Sequence, residues 1–186
     1  MSWIILIINH RWWKFFISLL ITIVEICALG GLLLFSTTSQ DGFGKDHPIP
    51  DDLKYNLPLE DDSCSITPVD SLDSNTYLNI WNDIQGGMYK YDFYYRPLPT
   101  GEIFLRCYEA TENIPLSKDQ LEVSSKVKID STTSFKKLVN KQKFTIYEGD
   151  WEDYYAARVE VWYRNASTKQ ERKLLEKVYR VEGWMR

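Results

Sequence analysis

Between Phe15 and Phe35 the chain runs FFISLLITIVEICALGGLLLF, and its only charged residue there is Glu25. About 20 apolar residues suffice for a helix to cross the hydrocarbon core of a bilayer. The run therefore predicts a single transmembrane helix over residues 15–36, preceded by a cytoplasmic or interfacial N-terminus, 1–14. A cleavable signal peptide is the alternative, but its apolar core is only about 7–15 residues long. Its small-residue cleavage site is also poorly matched by Ser36 and Thr38, so a retained signal-anchor is expected. Arg11 and Lys14 precede the run and Asp41 and Asp46 follow it. The positive-inside rule then places the N-terminus in the cytoplasm and the rest of the chain outside, periplasmic or extracellular. Trp12 and Trp13 fall where indole rings favour the headgroup layer.

Glu25 is costly at mid-bilayer unless it is protonated or meets a polar group. Ser18, Thr22, Glu25 and Ala28 are spaced by three and four residues and fall on one helix face. They form a polar and small stripe suited to pairing with a second copy or with another membrane protein. Cys27 is read as a packing residue.

From residue 37 to 73 the composition shifts to Ser, Thr, Asp and Pro, and residues 41–83 carry ten acidic against two basic residues. This predicts an acidic linker or stalk kept in solvent by its charge. No spacing among Asp51, Asp52, Glu60, Asp61 and Asp62 matches a calcium-binding loop. The remainder, 74–186, is read as one extracytoplasmic domain.

Within that domain Tyr77, Ile80, Trp81 and Ile84 have helical spacing, and Gly86 could end such an element. Tyr89, Tyr91, Phe93 and Tyr95 alternate with Lys90 and Asp92 as a half-buried strand does. The loop from Pro97 to Gly101 leads to a second strand through Ile103, Leu105 and Cys107, and the two are expected to pair as a hairpin. Ser117 is expected to cap a short helix reaching Ser125. Further strands are expected at 127–129, 143–148, 157–164 and 174–182, the last two as the strongest hairpin across Asn165–Lys169. Many short strands with turn-rich joints predict an all-β fold: an antiparallel β-sandwich, immunoglobulin-like or jelly-roll, with minor short helices.

The chain has two histidines, His10 and His47, and neither lies within 74–186. That excludes Ser-His-Asp and Cys-His catalysis and histidine-based zinc sites in the domain. No glycine-rich phosphate loop or nucleophile elbow occurs, so no enzyme activity, no metal and no cofactor are expected. A net charge of −4 argues against nucleic acid as a partner. Two features remain. Cys64 and Cys107 are a candidate disulfide on the oxidising side. The segment Glu148–Tyr155 concentrates carboxylates and aromatic rings, and Glu148, Asp150, Trp151, Asp153 and Tyr155, with Trp162, are the candidate ligand- or partner-binding residues. Tyr and Trp are enriched at protein interfaces, which favours a membrane or envelope protein as partner. A carbohydrate-binding or carbohydrate-processing module is the alternative, because rings cover sugar faces and carboxylates hold hydroxyls. A solvated turn with a core plug is the plain reading of the same residues.

Overall fold

The computed structural model describes residues 2–37, 41–60 and 76–184. The chain divides into two compact units, one holding helix α1 and the other residues 41–60 and 76–184. Helix α1 (Ser2–Thr37) contains the apolar run, and its described side chains from Phe16 to Leu32, on every side of the helix, are exposed. Among the described residues no helix is long and apolar enough to cross a membrane. The expected transmembrane span thus has no support from the structure.

The second unit is mostly β, with two antiparallel sheets and two short helices, α2 (Phe43–Asp46) and α3 (Lys118–Ser124). One sheet orders β1 (Tyr77–Asn82), β2 (Met88–Tyr95) and β6 (Lys136–Thr145). The other orders β4 (Pro115–Leu116), β3 (Gly101–Glu109), β7 (Tyr155–Asn165) and β8 (Glu171–Val181), with β5 (Val127–Ile129) on the same side of β3 as β4. Alternate residues of both sheets point into one core. Leu78, Ile80, Tyr91, Phe93 and Phe144 come from the first sheet, and Ile103, Leu105, Val159, Val161 and Tyr179 from the second.

Aromatic side chains fill much of this core, and the tyrosines among them bring polar hydroxyls that burial penalises unless they are bonded. Of the six core tyrosines, five place the hydroxyl on a backbone carbonyl of another segment. Tyr91 donates to Ser125 O at 2.7 Å, Tyr155 to Glu148 O at 2.7 Å, Tyr163 to Pro99 O at 3.0 Å and Tyr179 to Leu78 O at 2.8 Å. Tyr89 donates to Glu182 O and accepts from the Glu182 N–H. Tyr179 lies on β8 and Leu78 on β1, so this bond joins the two sheets directly.

The segment expected to be a solvated stalk is, over residues 41–60, built into the same unit as the sheets. The Asn56 N–H donates to Val178 O and the Arg180 N–H to Asn56 O, which extends the free edge of β8. Three residues later the Leu59 N–H donates to Ile80 O and the Asn82 N–H to Leu59 O, which extends β1. Both contacts are parallel bridges. One strap therefore covers part of an edge of each sheet, where unpaired N–H and C=O groups would otherwise invite a second chain. Its main-chain bonding is independent of side-chain pattern, which is why an acidic, Pro-rich composition conceals it.

Three local expectations are corrected. Residues 77–82 form strand β1 and not a helix: Leu78 and Ile80 enter the core while Tyr77 and Asn79 face away, a period of two. β2 and β3 do not pair as a hairpin; β2 lies between β1 and β6, and β3 joins the other sheet. Pro97 and Pro99 cannot donate to a ladder, and the connection crosses between the sheets. Ser117 precedes α3 with φ 47° and makes no side-chain cap; its hydroxyl turns to Glu148 instead. β7 and β8 do form the expected hairpin, in register from Tyr155↔Val181 to Arg164↔Glu171 with one bulge.

Leu59→Pro removes the strap's donor to Ile80 O. It should lower stability by about 1–3 kcal/mol, the cost of an orphaned backbone group. The check is a lower urea midpoint at unchanged slope.

Candidate functional site

Charge is segregated to the two ends of the sheets. The segments 41–47, 83–87, 110–114, 148–154 and 182–184 gather at one end and hold nine acidic residues against one basic. The loop between β6 and β7 is the centre of this end, and most of its polar side chains are engaged by the protein itself. Both Glu148 oxygens accept from the Ser117 N–H at 2.9 Å, and Oε2 also accepts from the Ser117 hydroxyl at 3.2 Å. The Asp41 N–H donates to Asp150 Oδ2 and the Gly149 N–H to Asp41 Oδ2, both at 2.9 Å, a reciprocal clasp across 108 and 109 residues of sequence. Asp153 pairs with Lys45 at 3.2 Å.

The loop takes this path because of two glycines. Gly149 has φ 89°, a conformation that residues with a Cβ rarely adopt. A Cβ on Gly183 would lie 2.0 Å from Gly149 O, so the backbone after β8 can press against the loop only through glycine.

Tyr155 is fully buried, and burial pushes its phenol well above the ordinary tyrosine range. It is a core residue. Trp151 behaves differently: its indole N–H donates to Gly86 O at 3.2 Å, yet 41% of the residue remains exposed. Tyr154 is also 41% exposed and carries the Arg180 guanidinium 4.0 Å above its ring. Ile84, 86% exposed, heads the turn whose Gly86 O meets Trp151, and Leu57 of the strap, 60% exposed, shares a cleft with Tyr154. A cleft of about 200 Å³ opens between Leu57, Pro58, Tyr154 and Arg180, with Glu60 and Glu182 at its margin. Glu182 also links the parts of the patch, since its Oε2 accepts from the Glu152 N–H at 2.7 Å. The result is an apolar and aromatic patch rimmed by carboxylates.

Of the sequence candidates, Glu148, Asp150, Trp151, Asp153 and Tyr155 are thus brought to one end, but Trp151 alone presents a free apolar surface. Trp162 lies elsewhere, on the outward face of the five-stranded sheet opposite Phe104. Its indole N–H donates to Glu160 at 2.8 Å and the Arg106 guanidinium lies 4.6 Å from its ring. Around it Arg106 and Arg164 each bridge Glu122 and Glu171, a closed four-charge ring over the buried Phe104. This face is covered by its own side chains.

Ile84 and Leu57 escaped the sequence reading as site residues, whereas Tyr154 lies within the segment it singled out. Ile84 carries a signal in retrospect, an aliphatic residue heading the Gln85-Gly86-Gly87 turn. Leu57 has none, because its neighbours are polar and its strand is only a strap.

The carboxylates of Glu148, Asp150 and Asp153 turn to Ser117, Asp41 and Lys45 respectively. Among the described residues no group of three or more His, Cys, Asp or Glu is placed to hold a metal ion. Cys107 is a free, buried cysteine whose thiol burial pushes up, which makes it inert. Cys64 lies outside the described residues. Ser18, Thr22, Glu25 and Ala28 do share one side of α1, with the Thr22 hydroxyl donating to Ser18 O at 3.1 Å. No family model, no curated protein and no solved structure matches the chain.

Two measurements separate the framework of this end from its surface. Glu148→Ala orphans the Ser117 N–H and should cost about 1–3 kcal/mol in denaturant unfolding, whereas Trp151→Ala should cost under about 1 kcal/mol. Asp83, at the head of the 83–87 turn, titrates separately. Burial opposes its charge, but Lys143 and Lys90 outweigh burial and hold its carboxyl below the ordinary value. A lowered folded pKa gives stability that is fully present above the unfolded pKa, near 3.8, and lost as pH falls through the folded value. Asp83→Asn should therefore lower stability at neutral pH and flatten the acid limb of the stability profile below about pH 4.

Proposed function

We propose that the chain is a single-pass membrane protein, N-terminus in the cytoplasm, whose extracytoplasmic domain binds a protein partner in a membrane or envelope complex. The observation that carries the binding half of this reading is the patch of Leu57, Ile84, Trp151 and Tyr154 within a carboxylate rim. Exposed aromatic and aliphatic anchors surrounded by polar groups are what partner-binding surfaces use, and the rim selects a partner with Lys or Arg around its own apolar contacts. The membrane half rests on the sequence from Phe15 to Phe35 and on a helix apolar on every side, which needs an apolar surrounding. The stripe of Ser18, Thr22, Glu25 and Ala28 is proposed as a second, intramembrane contact, with a further copy or with the same partner. The two sheets are read as a β-sandwich of immunoglobulin-like or jelly-roll kind.

The cleft beside Tyr154 supports a carbohydrate reading of the same end, because an exposed ring next to carboxylates suits a sugar face and its hydroxyls. Crosslinking and affinity capture from native membranes with the intact chain decides between them. The protein reading expects one partner captured by the wild type, lost with Ile84→Glu or Trp151→Ala, and retained by Glu25→Leu if recognition lies outside the membrane. Loss with Glu25→Leu alone would move recognition to the helix. No captured protein, together with glycan-array binding that Trp151→Ala abolishes, would replace the protein reading with the carbohydrate one.

A further inference from the structure

The end of the sheets opposite the acidic patch is basic. The strand ends and loops at 96–102, 126–137 and 164–173 carry nine Lys and Arg against three Asp and Glu. Several of these cations are neutralised: Lys126 and Arg164 face Glu102, Lys137 faces Asp92, and Lys173 faces Glu160 and Glu176. Lys128, Lys136 and Lys169 are exposed and form no ion pair among the described residues. Nothing internal to the fold accounts for gathering them from β5, the start of β6 and the β7–β8 turn.

The surface there is grooved. An open groove of about 440 Å³ runs between β5 and the start of β6, lined by Lys128, Ser131, Thr132, Ser134 and Lys136. A second, of about 270 Å³, lies on the other side of β5 between Thr100, Asn165 and Lys169. The two grooves share Lys128, Ile129 and Asp130, so a single extended ligand crossing β5 occupies both.

The chemistry of this surface narrows the ligand. A lone exposed lysine gains little from one carboxylate, on the order of 0–1 kcal/mol, so free small anions are poorly held. Several lysines acting together on one polymer are a different matter, because each neutralised charge releases counterions. A protein partner needs buried apolar anchors. Within segments 96–102, 126–137 and 164–173 no large apolar side chain is exposed among the described residues, and at the nearby Tyr77 Lys177 Nζ covers the ring at 4.0 Å. The same lack of exposed rings removes the stacking platforms that single-stranded nucleic acid uses. Ser and Thr hydroxyls line the first groove, Thr100, Asn165 and Glu102, itself facing Lys126 and Arg164, line the second, and Asp130 adds an acceptor common to the two, which suits hydroxyl-rich sugars.

We propose that the grooves on either side of β5 bind a linear acidic polysaccharide, its carboxylate or sulfate groups meeting Lys128, Lys136 and Lys169 while its hydroxyls meet the Thr, Ser and Asp130 side chains. This site is separate from the partner-binding patch and stands whether or not that patch binds a protein.

The test is affinity electrophoresis of the full chain in detergent through gels holding polygalacturonate, dextran sulfate, neutral dextran or polyglutamate. Retardation by polygalacturonate or dextran sulfate is expected, weakened at least about tenfold between 50 and 200 mM salt and by a Lys128→Glu, Lys136→Glu, Lys169→Glu variant. Trp151→Ala should leave it unchanged. A parallel triple Lys→Gln variant with an unaltered thermal midpoint guards against loss through unfolding and should weaken binding in the same sense. Which of the two acidic polymers binds more tightly tells carboxylate from sulfate. Equal retardation by neutral dextran, equal retardation by polyglutamate, or indifference to both triple variants would each overturn the proposal.

Discussion

Six tyrosines lie in the core of the two sheets, and five of them, Tyr89, Tyr91, Tyr155, Tyr163 and Tyr179, are accommodated because each hydroxyl meets a backbone carbonyl. An unbonded buried hydroxyl costs about 1–3 kcal/mol on mutational scales, comparable to what a medium apolar side chain gains by burial. The hydrogen bonds therefore decide whether tyrosine is a core residue here at all. They also fix geometry. Tyr179 ties β8 to the backbone of β1, Tyr163 holds the crossing loop at Pro99, and Tyr155 holds the loop at Glu148. Substituting phenylalanine would keep most of the packing and orphan several carbonyls, so the loss would appear as looser joints at the sheet ends.

Those joints carry both proposed binding surfaces. The loop at 148–154 is positioned by Tyr155 inside, by Asp41 along its backbone and by Glu148 on Ser117, which leaves Trp151 and Tyr154 facing outward on a fixed support. At the other end Tyr163 fixes Pro99 and Thr100, and Thr100 borders one of the basic grooves. The acidic and basic ends are thus organised by one set of core contacts, and their opposite charges give the domain a strong polarity.

The all-β class and the strands expected through 89–95, 103–107, 157–164 and 174–182 were legible in the sequence, since side chains switch sides at every residue, whereas the strand expected at 143–148 runs instead over Lys136–Thr145. β1 was not legible, because Tyr77, Ile80, Trp81 and Ile84 also satisfy a helical repeat, and in a six-residue window tertiary burial decides. The partition of β2 and β3 between sheets was hidden as well: alternation gives a strand its faces but not its neighbours. Within the candidate loop, the sequence pointed to the right segment for an incomplete reason. Its carboxylates looked available, whereas Glu148, Asp150 and Asp153 are held by Ser117, Asp41 and Lys45, partners as far as 109 residues away. The exposed apolar residues Leu57 and Ile84 come from other segments and meet the loop only in three dimensions.

The strap at Asn56 joins one of the first segments of the domain to its final strand, 122 residues downstream. During synthesis, segment 53–60 emerges long before β8 exists. The strap can meet β1 once residue 82 is made, but its bonds to β8 must wait until residues 171–181 follow. Contacts this distant in sequence also make for slow folding, because loop closure must precede their reward. The interval before the strap docks is the period in which the protein is most exposed to wrong strand pairing, and a helper that shields strand edges would act then.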